Sequence, residues 1–435
     1  MSKPFVTVVG AGLAGSEAAW QLAQRGVRVR LVDMKPAKKS PAHASGLFGE
    51  LVCSNSLRSD RLSNAVGLLK EELRRSGSLI LQAADAARVP AGGALAVDRA
   101  AFSSEITRKL QGHPLVDIEE REVTAIPDAP CVIATGPLTA DRLAEAIAAL
   151  PGVGTLNFYD AAAPIVYKDS LNFDKVFAAS RYGRGEDYLN CPMDREAYFA
   201  FVDALIAAEC AEVRGFEDSK VFEGCMPIET MARRGRMTPA FGPLKPVGLI
   251  APKTGKPPFA ALQLRRDDAA DTLYNLVGFQ TRLKFGEQKR VFGLIPGLEN
   301  AEYARYGVMH RNTFLDSPGL LDATYQMTSC PGLYFAGQMT GVEGYVESAA
   351  SGLVAGRALA RRLLGLSSDP FPTATALGAL ARYVSHPNRA FEPMNITFGL
   401  IDPMEGKFKG KEAKYTAIAE RALKALNDFY LDQGD

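Results

Sequence analysis

The chain has 435 residues, 47% of them hydrophobic and 23% charged, and a formal charge of +1. That length supports a large core and two or more domains, and the near-neutral balance excludes a globally basic nucleic-acid binder while leaving room for a local basic face. No apolar run approaches the ~18 residues that span a bilayer, and the first strand begins almost at once, leaving no room for a signal peptide.

The opening stretch, VTVVGAGLAGSEAAWQLAQRGVRVRLVDMKP, reads as strand, turn, helix, strand. Gly10, Gly12 and Gly15 each have a steric task there. The first allows a tight turn, the second lets backbone approach a pyrophosphate, and the third lets the helix pack close to the sheet. Ala11, Leu13 and Ala14 complete the candidate contact surface, where helix-opening amides face phosphate. Asp33 ends the second strand at about the spacing where a carboxylate accepts from adenosine ribose hydroxyls. Together these predict dinucleotide binding.

Next comes GLFGELVCSNSLRSD, in which Cys53 meets Ser54, Asn55 and Ser56. Those polar residues suit capping of a following helix, which would favour a thiolate, or donation to a flavin ring. A strand predicted over 132–134 then enters Thr135 and Gly136, a turn that brings backbone close to the adenine or pyrophosphate side of a flavin dinucleotide. Residues 151–319 exceed what a flavin fold requires and are assigned to an inserted α/β domain. Within them, Cys225 follows Gly224 and precedes a helix predicted to start near Pro227. Arg233, Arg234 and Arg236 follow, placed to lower a thiol pKa or hold phosphate. His310 sits beside Arg311 and Asn312, a polar cluster suited to stacking on a planar ligand, although a structural histidine is the plainer alternative.

The third glycine landmark is GLYFAGQMTGVEGYVESAASG. A strand over 333–336 leads through Gly337, Gln338 and Gly341 into a small-residue helix opening at Gly344 and Tyr345. Its amides can face the electron-rich end of an isoalloxazine. A helix is predicted within 371–386, a loop over 391–403, and a basic amphipathic helix at the C-terminus. The fold class expected is α/β: a doubly wound, Rossmann-like FAD-binding domain of the glutathione-reductase type, formed by residues 1–150 and 320–435, with the smaller insertion between.

The six cysteines, Cys53, Cys131, Cys191, Cys210, Cys225 and Cys330, form no CxxC pair, which argues against zinc, a disulfide framework or a thioredoxin-like motif. A reducing cytoplasm is the natural setting. Cys131 reads as a buried hydrophobe, and Cys191, Cys210 and Cys330 look similar. The histidines show no metal-ligand spacing, so no metal is expected. Basic residues gather at Arg58 and Arg61, at Arg233, Arg234 and Arg236, at Lys284, Lys289 and Arg290, and at Lys407, Lys409, Lys411 and Lys414. Each group alone is a solvated face; convergence on one rim would supply RNA phosphate contacts.

With these segments in hand, the sequence resembles the folate- and FAD-dependent tRNA (uracil-5-)-methyltransferases, the TrmFO family of bacteria, nearly end to end. The resemblance is carried by VGAGLAGSEAAW, ELVCSNSLRSD, RVPAGGALAVDR, ATGPLT, YLNCPM, FEGCMPIE, FGPLKPVGL, VGFQTRLKFGEQKR, YGVMHRNTF and GVEGYVESAASG. Small departures fall at Met237-Thr238-Pro239-Ala240 and at Thr397. The resemblance implies methylation of carbon 5 of the T-loop uridine at tRNA position 54, with 5,10-methylenetetrahydrofolate as carbon donor, FAD as cofactor and NADPH or NADH as electron source. It makes Cys225 the nucleophile and Cys53 its partner, as base or temporary carrier, with the roles open to exchange. It also makes His310 the candidate to cover the pterin. tRNA and folate are the implied partners, in a monomer or a dimer. The alternatives are a flavoprotein that modifies the tRNA wobble uridine, marked by a long C-terminal helical extension absent here, and a generic NAD(P)H flavin oxidoreductase.

Overall fold

The computed structural model describes residues 5–40, 42–153, 155–161, 163–211, 226–388, 391–406 and 408–434. Its first sheet is five-stranded and parallel, in the order Leu333–Phe335, Cys131–Ile133, Phe5–Val9, Arg28–Asp33, Val116–Glu120. The strands read as short apolar runs because both faces are covered, as a parallel sheet with crossover helices demands. Val6, Val8, Val29, Leu31 and Val132 are all fully buried. The sequence placed the third-landmark and middle strands within one residue of these bounds.

Two helices follow the glycine landmarks and cross each other, Leu13–Gln24 and Tyr345–Leu363. The crossing depends on absent side chains. A Cβ on Gly352 would sit 2.1 Å from the carbonyl oxygen of Ala14, and one on Gly356 would sit 2.7 Å from that of Ala18. The two backbones therefore touch, and both helices start beyond the C-terminal ends of the parallel strands they follow.

A second, six-stranded sheet is antiparallel throughout, ordered Phe177–Ala178, Tyr188–Met193, Ala260–Arg266, Leu273–Leu276, Ile165–Tyr167, Tyr303–Arg305. Helix Arg195–Ala207 buries Tyr198, Phe201, Val202 and Leu205 in a core separate from the first. The chain leaves and returns through strands Thr155–Ala161 and Met309–Leu315, which pair with each other. The expected later elements are present: helix Ala376–Ser385, a segment without regular structure over 391–403, and a terminal helix Lys411–Gln433 that buries Ile418, Ala422, Leu426 and Phe429. No described helix is long and apolar enough to cross a membrane.

Candidate active site

The first glycine turn behaves as its sterics require. Gly10 has φ +97°, and a Cβ there would lie 2.6 Å from the carbonyl oxygen of Ala134. A Cβ on Gly15 would lie 1.8 Å from the carbonyl oxygen of Gly10, whereas Gly12 has no atom within 4 Å of that position. Gly15 therefore packs the helix onto its own turn, and Gly12 faces open space. No side chain caps helix Leu13–Gln24, so its first-turn amides keep no intrahelical partner. The Ala11 amide donates to Asp33 Oδ2 at 2.6 Å and the Lys35 amide donates to Oδ1 at 2.8 Å. Asp33 thus ties the two strand ends together while lining the cavity.

That cavity, of about 160 Å³, collects residues from all three landmarks: Gly10, Gly12, Leu13, Ala14 and Asp33 from the first, Thr135 and Gly136 from the second, Gly337, Gln338 and Tyr345 from the third. A second cavity of about 290 Å³ adjoins it, lined by Cys53, Arg58, Arg265, Gln280, Gly344 and Asn395 among others. The two share Ala42, Val52, Pro137, Leu138, Gln338 and Tyr345, so they form one cleft. Of the predicted contacts, Ala11 is buried behind the turn and Gly15 packs, so neither lines the cleft. The side chain of His310 lies outside the described residues; its backbone is in strand Met309–Leu315, paired opposite Asp160.

Cys53 lines the second cavity, next in sequence to Val52, which lines both. The expectation of a helix after it is not met: the next element is the strand Ser56–Ser59, and the next helix starts only at Ala65. Ser54 and Asn55 are used differently. Ser54 Oγ accepts from Arg265 Nη2 at 2.7 Å, and Asn55 Oδ1 accepts from Arg265 Nε at 2.9 Å. The Asn55 amide donates to the carbonyls of Val97 and Arg266. Arg99 adds a bond to the Leu51 carbonyl at 2.7 Å and an ion pair with Asp267. Both residues therefore pin the thiol loop to the second sheet instead of capping a helix. Below it, the fully buried Lys70 donates to the carbonyls of Leu57 at 2.8 Å and Ser59 at 2.5 Å. Arg58 pairs with the buried Glu347 in the first turn of helix Tyr345–Leu363.

Tyr345 supplies what the missing helix would have given. Its Oη accepts from the amides of Cys53 at 2.8 Å and Ser54 at 3.1 Å, and lies 2.8 Å from Cys53 Sγ. Two accepted bonds occupy both lone pairs of the hydroxyl, so its proton is directed at sulfur. Burial and the neighbouring Cys53 hold the phenol well above its usual pKa, which keeps that proton in place. A donor aimed at Sγ favours negative charge there. In Tyr345→Phe the limb of the rate profile governed by thiolate should move to higher pH, because the sulfur loses the tyrosine hydroxyl as a donor. An unmoved profile would show that Tyr345 does not act on the thiol.

Cys225 lies outside the described residues. Beyond it, helix Ile228–Arg234 begins after Pro227, as expected, and the Ile228 amide donates at 2.8 Å to the carbonyl of Gln280, a residue of the Cys53 cavity. Arg233 and Arg234 are exposed, and Arg236 pairs with Asp203. Lys284 and Arg290 pair with Glu209 and Glu287, so much of the predicted basic character is locally neutralised. Cys131 is fully buried, its thiol pushed up to about 12 by burial, and Cys191 is buried and raised in the same way. Cys210 and Cys330 are only half-buried. Among the described residues no His, Cys, Asp or Glu group is arranged for a metal.

The family model described as glucose inhibited division protein A matches residues 5–367. A protein of Lactiplantibacillus plantarum, named methylenetetrahydrofolate–tRNA-(uracil-5-)-methyltransferase TrmFO, is 59% identical over 98% of this chain and 98% of its own. The chain belongs to the TrmFO family. A TrmFO of Listeria monocytogenes is 60% identical over 97% of this chain and 98% of its own, and one of Staphylococcus carnosus is 58% identical over 99% of each. Among solved structures, Aquifex aeolicus GidA superposes with a TM-score of 0.70 at 15% identity, covering 99% of this chain and 74% of that one. That likeness establishes a shared fold with a longer protein, and the Rossmann-like α/β class expected from the glycine landmarks holds.

Proposed function

We propose that this chain is an FAD- and folate-dependent tRNA (uracil-5-)-methyltransferase that forms 5-methyluridine in the T-loop. The observation that carries the reading is the joined cleft, in which a cavity lined by the three glycine landmarks adjoins the pocket of the Cys53 thiol. The residues fit a flavin dinucleotide. Gly12 leaves room where a pyrophosphate would lie at an uncapped helix N-terminus, and Asp33, Gly337, Gln338 and Tyr345 line the same cavity and would hold the rest of the group. Bound there, FAD reduced by NADPH or NADH would supply the redox chemistry that turns the folate one-carbon unit into a methyl group.

The chain's own part is to make uracil carbon 5 nucleophilic. A cysteine thiolate adds at carbon 6 and leaves an enolate whose carbon 5 attacks the one-carbon unit; a base then takes the carbon 5 proton as the bond from that unit to its carrier nitrogen breaks, and the thiolate departs once hydride, which the reduced cofactor would supply, has been added to the exocyclic carbon. The resemblance assigns addition to Cys225 and the base or carrier role to Cys53. Tyr345 aims its hydroxyl at Cys53 sulfur, and Arg265 and Arg99 fix its loop. The target base must leave its stack to reach this depth. On the same reading residues 151–319 are the insertion that closes the cleft, and the protein works in the cytoplasm on tRNA, where a reducing medium keeps its thiols free.

The test is to incubate flavin-loaded protein with unmodified tRNA transcript, labelled methylenetetrahydrofolate and NADPH, then map the label. Label on carbon 5 of the T-loop uridine is expected. Label at the wobble position would favour the alternative modification, and unlabelled tRNA with continued NADPH oxidation would favour a generic oxidoreductase.

A further inference from the structure

Arg305 ends the edge strand Tyr303–Arg305, beside a register shift in its pairing with Ile165–Tyr167. Such a bulge re-aims side chains. Its partner Ile165 stands two residues from Ala163, which lines the Cys53 cavity. The guanidinium lies within electrostatic reach of Cys53, Tyr345, Arg99 and Asp267. Its Nε and Nη2 are both buried without a hydrogen-bond partner among the described residues, and Nη2 of Arg99 is likewise unpartnered.

The neighbouring cations are accounted for. Arg265 holds Ser54 and Asn55, and Arg99 holds Leu51 and Asp267. Nε and Nη2 of Arg305 have no such work among the described residues. A buried donor without an acceptor destabilises the fold, the more so when charged, and a fold tolerates that where a ligand completes the bonds. The local balance is cationic, since Asp267 faces Arg99, Arg265 and Arg305 together. The missing partner is therefore an anion.

We propose that Arg305 receives an anionic group of a substrate bound in the Cys53 cleft. The chemistry is that of an oxyanion clasped by a guanidinium fork. Two sources carry it: a phosphodiester beside the target uridine, or the glutamyl carboxylate of the folate. This inference rests on the functional reading above and gives that substrate its anchor.

The experiment compares flavin-loaded wild type with Arg305→Met and Arg305→Lys in two binding arms without turnover. One arm titrates unmodified tRNA transcript across a salt series; the other titrates tetrahydrofolate. Arg305→Met removes an unpaired charge, so its flavin spectrum and unfolding midpoint should equal or exceed those of wild type. Binding should weaken at least about tenfold in one arm, with Arg305→Lys recovering part of the loss because it keeps charge without the fork. Loss in the tRNA arm, with a salt slope smaller by about one, assigns the phosphodiester. Loss in the folate arm assigns the carboxylate. Unchanged affinity in both arms overturns the site, as do equal losses in both or a lowered unfolding midpoint, which would mark a structural role. Wild-type protein that binds neither probe overturns the functional reading and this one with it.

Discussion

Cys225→Ala is expected to lose methyl transfer to background while the protein stays flavin-loaded. The loss follows from chemistry: without a thiolate adding at carbon 6, uracil carbon 5 has too little electron density to attack. Cys53→Ala should lower turnover by ~10²–10⁴-fold, the range for removing a positioned base. Trapping separates the roles. If Cys225 adds and Cys53 removes the proton, Cys53→Ala stalls after addition and a protein–RNA adduct survives denaturing electrophoresis, whereas Cys225→Ala forms none. The reverse pattern would exchange the assignments. Turnover like wild type in both variants would end the thiol mechanism.

The second large effect is expected at Gly352. A valine there places its Cβ 2.1 Å from the Ala14 carbonyl oxygen, and backbone cannot step aside as a flexible side chain would. The helices must part. Strain of this kind costs about 1–3 kcal/mol, and it acts on the two helix starts that face the cleft. Gly352→Val should unfold at lower denaturant and purify with little flavin. Gly286→Ala, where no atom lies within 4 Å, is the matched control and should stay within about 0.5 kcal/mol of wild type. Equal flavin content and equal midpoints in the two variants would show that the crossing does not govern the cofactor site.

The glycine landmarks were legible because close backbone approach leaves few residue choices, and those choices sit next to each other in the chain. The strand and helix bounds around Gly10, Gly136 and Gly344 followed from the same local patterns. The thiol's surroundings were not legible. Tyr345 reaches Cys53 across 292 positions, and Arg265 reaches Asn55 across 210, so no local spacing announces either contact. Ser54 and Asn55 look like helix caps because their side chains bond neighbouring backbone in isolation. In the folded protein Ser54 Oγ still accepts locally from the Ser56 amide, but a distant arginine binds both side chains, and a strand follows in place of a helix. Arg305 gave no signal at all, since guanidinium nitrogens without a partner among the described residues are visible only once burial is known.

The helix crossing at Gly352 also bears on synthesis. The mate of helix Leu13–Gln24 begins more than 300 residues later, at Tyr345. A ribosome therefore exposes the opening glycine turn long before its clamp exists, while the separate core around Phe201 and Leu262 can condense in the interval. The pocket for the cofactor is finished only when the last quarter of the polypeptide has emerged, so a truncated product would carry the Cys53 sulfur without the Tyr345 phenol that steadies it.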